Sequence, residues 1–147
     1  MRAKDVAEYF LSLSDPECED FISNLKLQKL VYYAQGFHLA IFGEPLFDEP
    51  IEAWTHGPVV KDLYHEYKEH GANAIDKPVS IDLNRYTKDI RELLDDVWKV
   101  YGQYSASKLR NLTHAEPIWI EAYNKYPGCV IPHDSMKKYF KTLLFAS

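Results

Sequence analysis

From Leu27 to Ile41 the apolar residues Leu27, Leu30, Val31, Ala34, Phe37 and Ile41 recur at steps of three and four, the spacing that lines one face of an α-helix. The pattern predicts a long helix from Ser23 to about Phe42, stopped by Gly43 and Pro45. Its apolar positions wrap more than one face, which predicts a central helix packed on several sides. At Ile51 the period changes. Ile51 and Ala53 alternate with Glu52 and Trp54 as in a short strand, and His56-Gly-Pro sets a sharp corner. Pro58 is placed to open a new helix, where its missing N–H is harmless.

The remaining pattern is also helical. Lys4 to Leu13 turns Val6, Phe10 and Leu13 inward, and Asp15 before Pro16 breaks the run. Val59 to His70 reads as a helix with Val60, Leu63, Tyr64 and Tyr67 inside and Gly71 at its end. Ala72 to Arg85 reads as loop, with Val79, Ile81 and Leu83 able to form a brief strand. Thr87 caps a helix carrying Ile90, Leu93, Leu94, Val97, Trp98 and Tyr101, and Gly102 ends it. Ser105 opens a short helix to about Leu112. Thr113-His-Ala-Glu116 has capping-box spacing ahead of Pro117 and a helix through Trp119, Ala122 and Tyr126. Pro127-Gly128 ends that helix, and the last one, from about His133 to Leu144, presents Met136, Tyr139, Phe140 and Leu143 inward. The expected fold is mainly α: a single compact domain over residues 1–147, of six or seven helices with at most a small strand pair.

The segment Leu27-Gln-Lys-Leu-Val-Tyr-Tyr-Ala-Gln-Gly-Phe-His38, followed by Pro45-Leu-Phe and Ile51-Glu-Ala-Trp-Thr-His-Gly-Pro-Val-Val60, resembles the Panacea domain of the SocA-like and GepA-like phage-associated family. A second group, Tyr101-Gly102, Ser105-Ala106, Leu109, Leu112-Thr113-His114 and Pro117-Ile-Trp119, resembles that family's later signature. The resemblance implies an antitoxin, or a fusion module of antitoxins, without catalytic chemistry and without a cofactor. Its implied partner is a cognate toxin protein and, in some members, an ATP-dependent protease to which the toxin is delivered. The signature positions Gln28, Tyr32, Gln35, His38, Trp54, His56, Gly57, Pro58, Tyr64, His114 and Trp119 become the candidate interface. No helix-turn-helix region accompanies the signatures, so operator binding is not expected.

Composition narrows the alternatives. With 147 residues, 46% hydrophobic and 14% aromatic, the chain is expected to fold around a core. A net charge of −5 argues against a duplex DNA binder, which needs a basic face. No stretch approaches the roughly 20 apolar residues of a membrane span, and the first residues run into an amphipathic pattern, so a cytoplasmic protein is expected. Cys18 and Cys129 lack ligand spacing and read as reduced structural thiols.

Enzyme signatures are weak. His65-Glu-Tyr-Lys-Glu-His70 places its two histidines five residues apart, about 140° around a helix, where a zinc pair needs four. No Gly-x-Ser-x-Gly elbow or glycine-rich phosphate loop occurs, and the lone Gly36 reads as a close helix contact. His38, His56 and His114 admit two readings. Each imidazole can pin two backbone segments at a corner. Alternatively, His56 and His114 meet with Glu52 or Glu116 as the site of a small hydrolase or ligand-binding protein. Trp98 is expected in the core, whereas Trp54 and Trp119 can rim a groove. Of the adjacent Tyr32 and Tyr33, at least one is expected to face away from the deepest packing.

Overall fold

Ser23 opens the long apolar run as its spacing predicts: its hydroxyl accepts from the Lys26 N–H at 3.3 Å. In the computed structural model, which describes residues 1–15 and 21–144, the order is α1 (Ala3–Leu13), α2 (Asn24–Phe42), β1 (Glu52–Trp54), β2 (Gly57–Val59), α3 (Lys61–Tyr67), α4 (Lys88–Tyr101), α5 (Ala106–His114), α6 (Pro117–Lys125) and α7 (His133–Leu144). The fold is mainly α, with seven helices and one two-stranded antiparallel sheet among the described residues. The Pro16 break signal and Cys18 lie outside the described residues.

Helix α2 ends at Gly43, whose φ of 81° supplies the left-handed cap. It is the centre of the molecule, packing against α1, α3, α4, α5, α7 and β2. Contact on so many sides buries Tyr32 and Tyr33 together, at 0% and 1% exposure, where one was expected to turn outward. It also buries Lys26 and Lys29. Ile41 and Leu13 depart from expectation in the other direction: each lies at the end of its helix and is exposed. Gly36 is the predicted close contact, since a Cβ there would collide with the Phe140 ring of α7. Met136 and Phe140 are fully buried, so α7 completes the core against α2.

The strand pair differs from the sequence reading in one respect. Pro58 does not open a helix; it sits within β2 opposite Ala53. The reason lies on the far side of β1. Ala53 donates its N–H to the Cys129 carbonyl at 2.8 Å and accepts from the Gly128 N–H at 2.7 Å. The Ala53–Pro58 pair therefore exchanges no ladder hydrogen bond, and a residue without an N–H fits there. Helix α3 begins only at Lys61 and continues as a 3-10 turn over Lys68–His70.

Residues 72–85 form no strand; Val79 is fully exposed, and the only regular piece is a 3-10 turn at Leu83–Arg85. Thr87 caps α4 by accepting from the Ile90 N–H at 3.2 Å, and Ser105 caps α5 by accepting from Lys108 at 3.1 Å. The capping box predicted at Thr113 to Glu116 is absent. Thr113 remains inside α5 and donates to the Arg110 carbonyl, and Pro117 takes the first position of α6. Glu116 is directed inward to a different task.

Candidate functional site

Glu116 is 6% exposed, and its carboxylate accepts three phenol O–H bonds. Tyr32 donates to Oε1 at 2.7 Å; Tyr33 and Tyr139 donate to Oε2 at 3.1 and 3.2 Å. Burial raises the carboxyl above its ordinary value, and the three donors act against that rise. Burial, and after it the same carboxylate, push the Tyr32 and Tyr33 hydroxyls far above theirs. This knot ties α2, α6 and α7 together and explains how two neighbouring tyrosines are both buried without loss.

A second polar group surrounds the corner between β1 and β2. Gly57 has a φ of 118°, which favours glycine. A Cβ there would stand 2.6 Å from Lys29 Cε and 2.9 Å from Thr113 Oγ1. Beneath it, Lys29 is completely buried, and its Nζ has no hydrogen-bond partner among the described residues. Burial pulls its ammonium down to about 7, and the Arg110 guanidinium pushes the same way. A buried donor left unpaired costs about 1–3 kcal/mol, more when charged. Above the corner, Arg110 donates its Nε–H to His56 Nδ1 at 3.2 Å.

His114 donates from Nε2 to the Thr55 carbonyl at 2.8 Å and stacks on Trp119 with ring centres 4.3 Å apart. Desolvation lowers its pKa against the opposing Thr55 bond, and Arg110, Lys29 and His56 add to the lowering. Trp119 stacks in turn on Tyr123 and donates its indole N–H to the Trp54 carbonyl at 2.9 Å. Beside the corner opens a cleft of about 540 Å³, walled mainly by Leu25, Trp54, Val59 and Tyr64, with His56 at its edge. The Trp54 and Tyr64 rings meet edge to face at 5.0 Å.

The signature positions thus separate into three groups. Gln28, Gln35 and His38 hold backbone: Gln28 accepts from Val60 N–H, Gln35 bridges Leu46 and Phe47, and His38 donates to the Glu44 carbonyl. Tyr32 belongs to the Glu116 knot. Trp54, His56, Gly57, Tyr64, His114 and Trp119 gather at the corner and its cleft, with Pro58 in β2. His56 and His114 do approach the same corner, but neither proposed carboxylate joins them. Glu52 accepts from the Trp54 indole at 2.9 Å, and Glu116 serves the tyrosines.

No group of three His, Cys, Asp or Glu side chains among the described residues is placed to hold a metal ion. Lys29 and Arg110 were not among the candidates. The signal for Lys29 was present, since a helix expected to pack on several sides and carrying Lys26 and Lys29 must bury a lysine. Arg110 had no comparable signal, because its role depends on a residue 54 positions away.

The sequence matches the family model described as Antitoxin SocA-like, Panacea domain, over residues 27–120. That span contains the corner, the cleft residues Trp54, His56, Val59 and Tyr64 but not Leu25, and Arg110 to Trp119. Antitoxin SocA of Caulobacter vibrioides (strain NA1000 / CB15N) is 36% identical over 104 residues, which cover 64% of this chain and 55% of that protein. The chain thus spans little more than half the length of that relative. No solved structure matches it. Among the described residues no helix is long and apolar enough to cross a membrane. With more than half of its length matched, the chain belongs to the SocA-like antitoxin family defined by the Panacea domain.

Proposed function

We propose that this chain is the antitoxin of a toxin–antitoxin pair, binding a co-expressed toxin protein in the cytoplasm and blocking its activity. The observation that carries the reading is the match to the antitoxin family across residues 27–120, with an antitoxin as its 36% identical relative. The architecture supports it as well. Polar signature residues such as Gln28 and Gln35 hold the scaffold, leaving the corner, the cleft and the segment 72–85 as surfaces that a partner can reach. A further role as proteolytic adaptor, presenting the bound toxin to an ATP-dependent protease, follows the same resemblance. The hydrolase reading finds less support, because among the described residues no carboxylate is paired with either imidazole.

Expressing the product of the adjacent gene with and without this chain tests the proposal. Growth arrest by the neighbour alone, relieved by this chain through a complex that co-purifies, is the expected result. A harmless neighbour that does not co-purify would overturn it. Toxin half-life in cells with and without the protease then tests the adaptor role, for which shortening only in the presence of both protease and this chain is expected.

A further inference from the structure

The corner between β1 and β2 gathers four basic side chains, with Arg110 as the fixed cation, in a chain of net charge −5. Lys29 lies under Gly57, Arg110 reaches over to His56, and His114 braces Thr55. None of the ion pairs among the described residues includes any of the four. The carboxylates that could have answered them, Glu52 and Glu116, are bound to Trp54 and to the tyrosine knot. Arg110 uses its Nε–H on His56, and its terminal N–H groups carry no bond among the described residues. Lys29 Nζ is a fully buried donor with no acceptor among the described residues, and it lies at the underside of the corner, 3.1 Å from where a Gly57 side chain would begin. An unpaired buried cation does not help the fold, so its position calls for a charge from outside.

Two features decide which charge fits. The cationic groups are few and stand at one corner, enough for one carboxylate and too compact to follow a phosphate backbone. The adjoining cleft is apolar, with Trp54, Tyr64 and Val59 on its walls and His56 shared between cleft and corner. We propose that this corner is a docking site for an acidic–apolar segment of a protein partner. An Asp or Glu carboxylate of that segment pairs with the free end of Arg110 beside His56. Lys29 supports the carboxylate from below, and a neighbouring apolar side chain enters the cleft against Trp54 and Tyr64. Identifying that partner with the toxin rests on the antitoxin reading; the carboxylate site itself does not.

The test uses the full chain, isotope-labelled, with the His56 and His114 ring signals and the Lys29 side-chain signal followed by NMR. Sodium acetate is the probe, with sodium phosphate and sodium chloride at matched ionic strength for comparison. Saturable shifts with acetate, absent in Arg110→Gln and retained in Lys99→Gln, are expected. Saturation by phosphate at lower concentration would make the site one for phosphoryl groups and overturn the proposal, as would acetate behaving like chloride. Should Arg110→Gln fail to fold, Arg110→Lys serves in its place, with weaker acetate saturation expected because the forked donor pair is lost; unchanged saturation would overturn the proposal.

The second arm measures binding of the co-purifying partner. Arg110→Gln is expected to weaken it about tenfold or more at unchanged thermal midpoint. Equal affinity would exclude the corner from the interface while leaving the antitoxin reading intact. Acetate saturation without any bound partner would reject the antitoxin reading and leave the carboxylate site standing.

Discussion

Lys29 and Glu116 are both buried ionisable residues, yet their surroundings treat them oppositely. Among the described residues, Glu116 has three donors and Lys29 has no acceptor. The fold should therefore gain from losing the Lys29 charge. Lys29→Met, of similar length, is expected to raise the thermal midpoint, and the gain should depend on pH in a defined direction. Below about pH 7 the ammonium is charged in the folded and unfolded chain alike, and the full burial penalty is present. Between about 7 and 10.5 the unfolded chain holds a proton that the folded chain has released, so wild-type stability rises with pH across that window. The gap corresponds to an upper limit of about 5 kcal/mol. Melting curves of both proteins from about pH 6 to about pH 10 should show the variant's advantage shrinking as pH rises; a constant difference would show that the amine carries no such penalty. Residues with local partners were legible in the sequence: Ser23, Thr87 and Ser105 cap helices because a cap needs only the next turn. Glu116 was misread as a capping residue because its real partners, Tyr32 and Tyr33, are more than 80 positions away.

At the scale of elements, the same division between local and distant causes decides what could be read. The alternation from Ile51 to Trp54 announced β1, since period two is a property of the segment itself. The partner of Pro58 could not be read, because the segment at Gly128 and Cys129 determines which Ala53 groups remain for β2. The segment 72–85 was legible as loop from its Asn, Asp and Pro residues. It is anchored near both ends: Ile75 is buried and donates its N–H to the Ile22 carbonyl at 2.8 Å, and the Tyr86 hydroxyl donates to the Asp5 carbonyl at 2.6 Å. Between the anchors, Val79 and Leu83 project into solvent with no core duty. A loop held at its ends on a rigid scaffold is where partner choice varies at little cost to stability. Exchanging residues 72–85 for those of a relative, with Ile75 retained, is expected to change which toxin is neutralised in a growth assay while the thermal midpoint moves little. Unaltered partner choice would assign discrimination to another surface.

For the whole molecule, the architecture was legible because one helix dominates it. Once α2 is recognised as apolar on several sides, the other helices have little choice but to surround it, and α1 and α7, which lie outside the family match, pack on it too. Electrostatics at this scale oppose those of the corner. The net charge of −5 repels an acidic partner at long range, whereas the uncompensated Arg110 and Lys29 attract a carboxylate at short range. Salt distinguishes the two, because both are screened but they change affinity in opposite directions. If the corner anchors the complex, raising sodium chloride from about 0.05 M to about 0.5 M should weaken toxin binding, and Arg110→Gln should flatten that dependence. Should the overall negative charge dominate, binding would strengthen with salt and the variant would follow wild type. Affinity measured across the salt series for both proteins therefore determines whether one corner of the fold outweighs the charge of the whole.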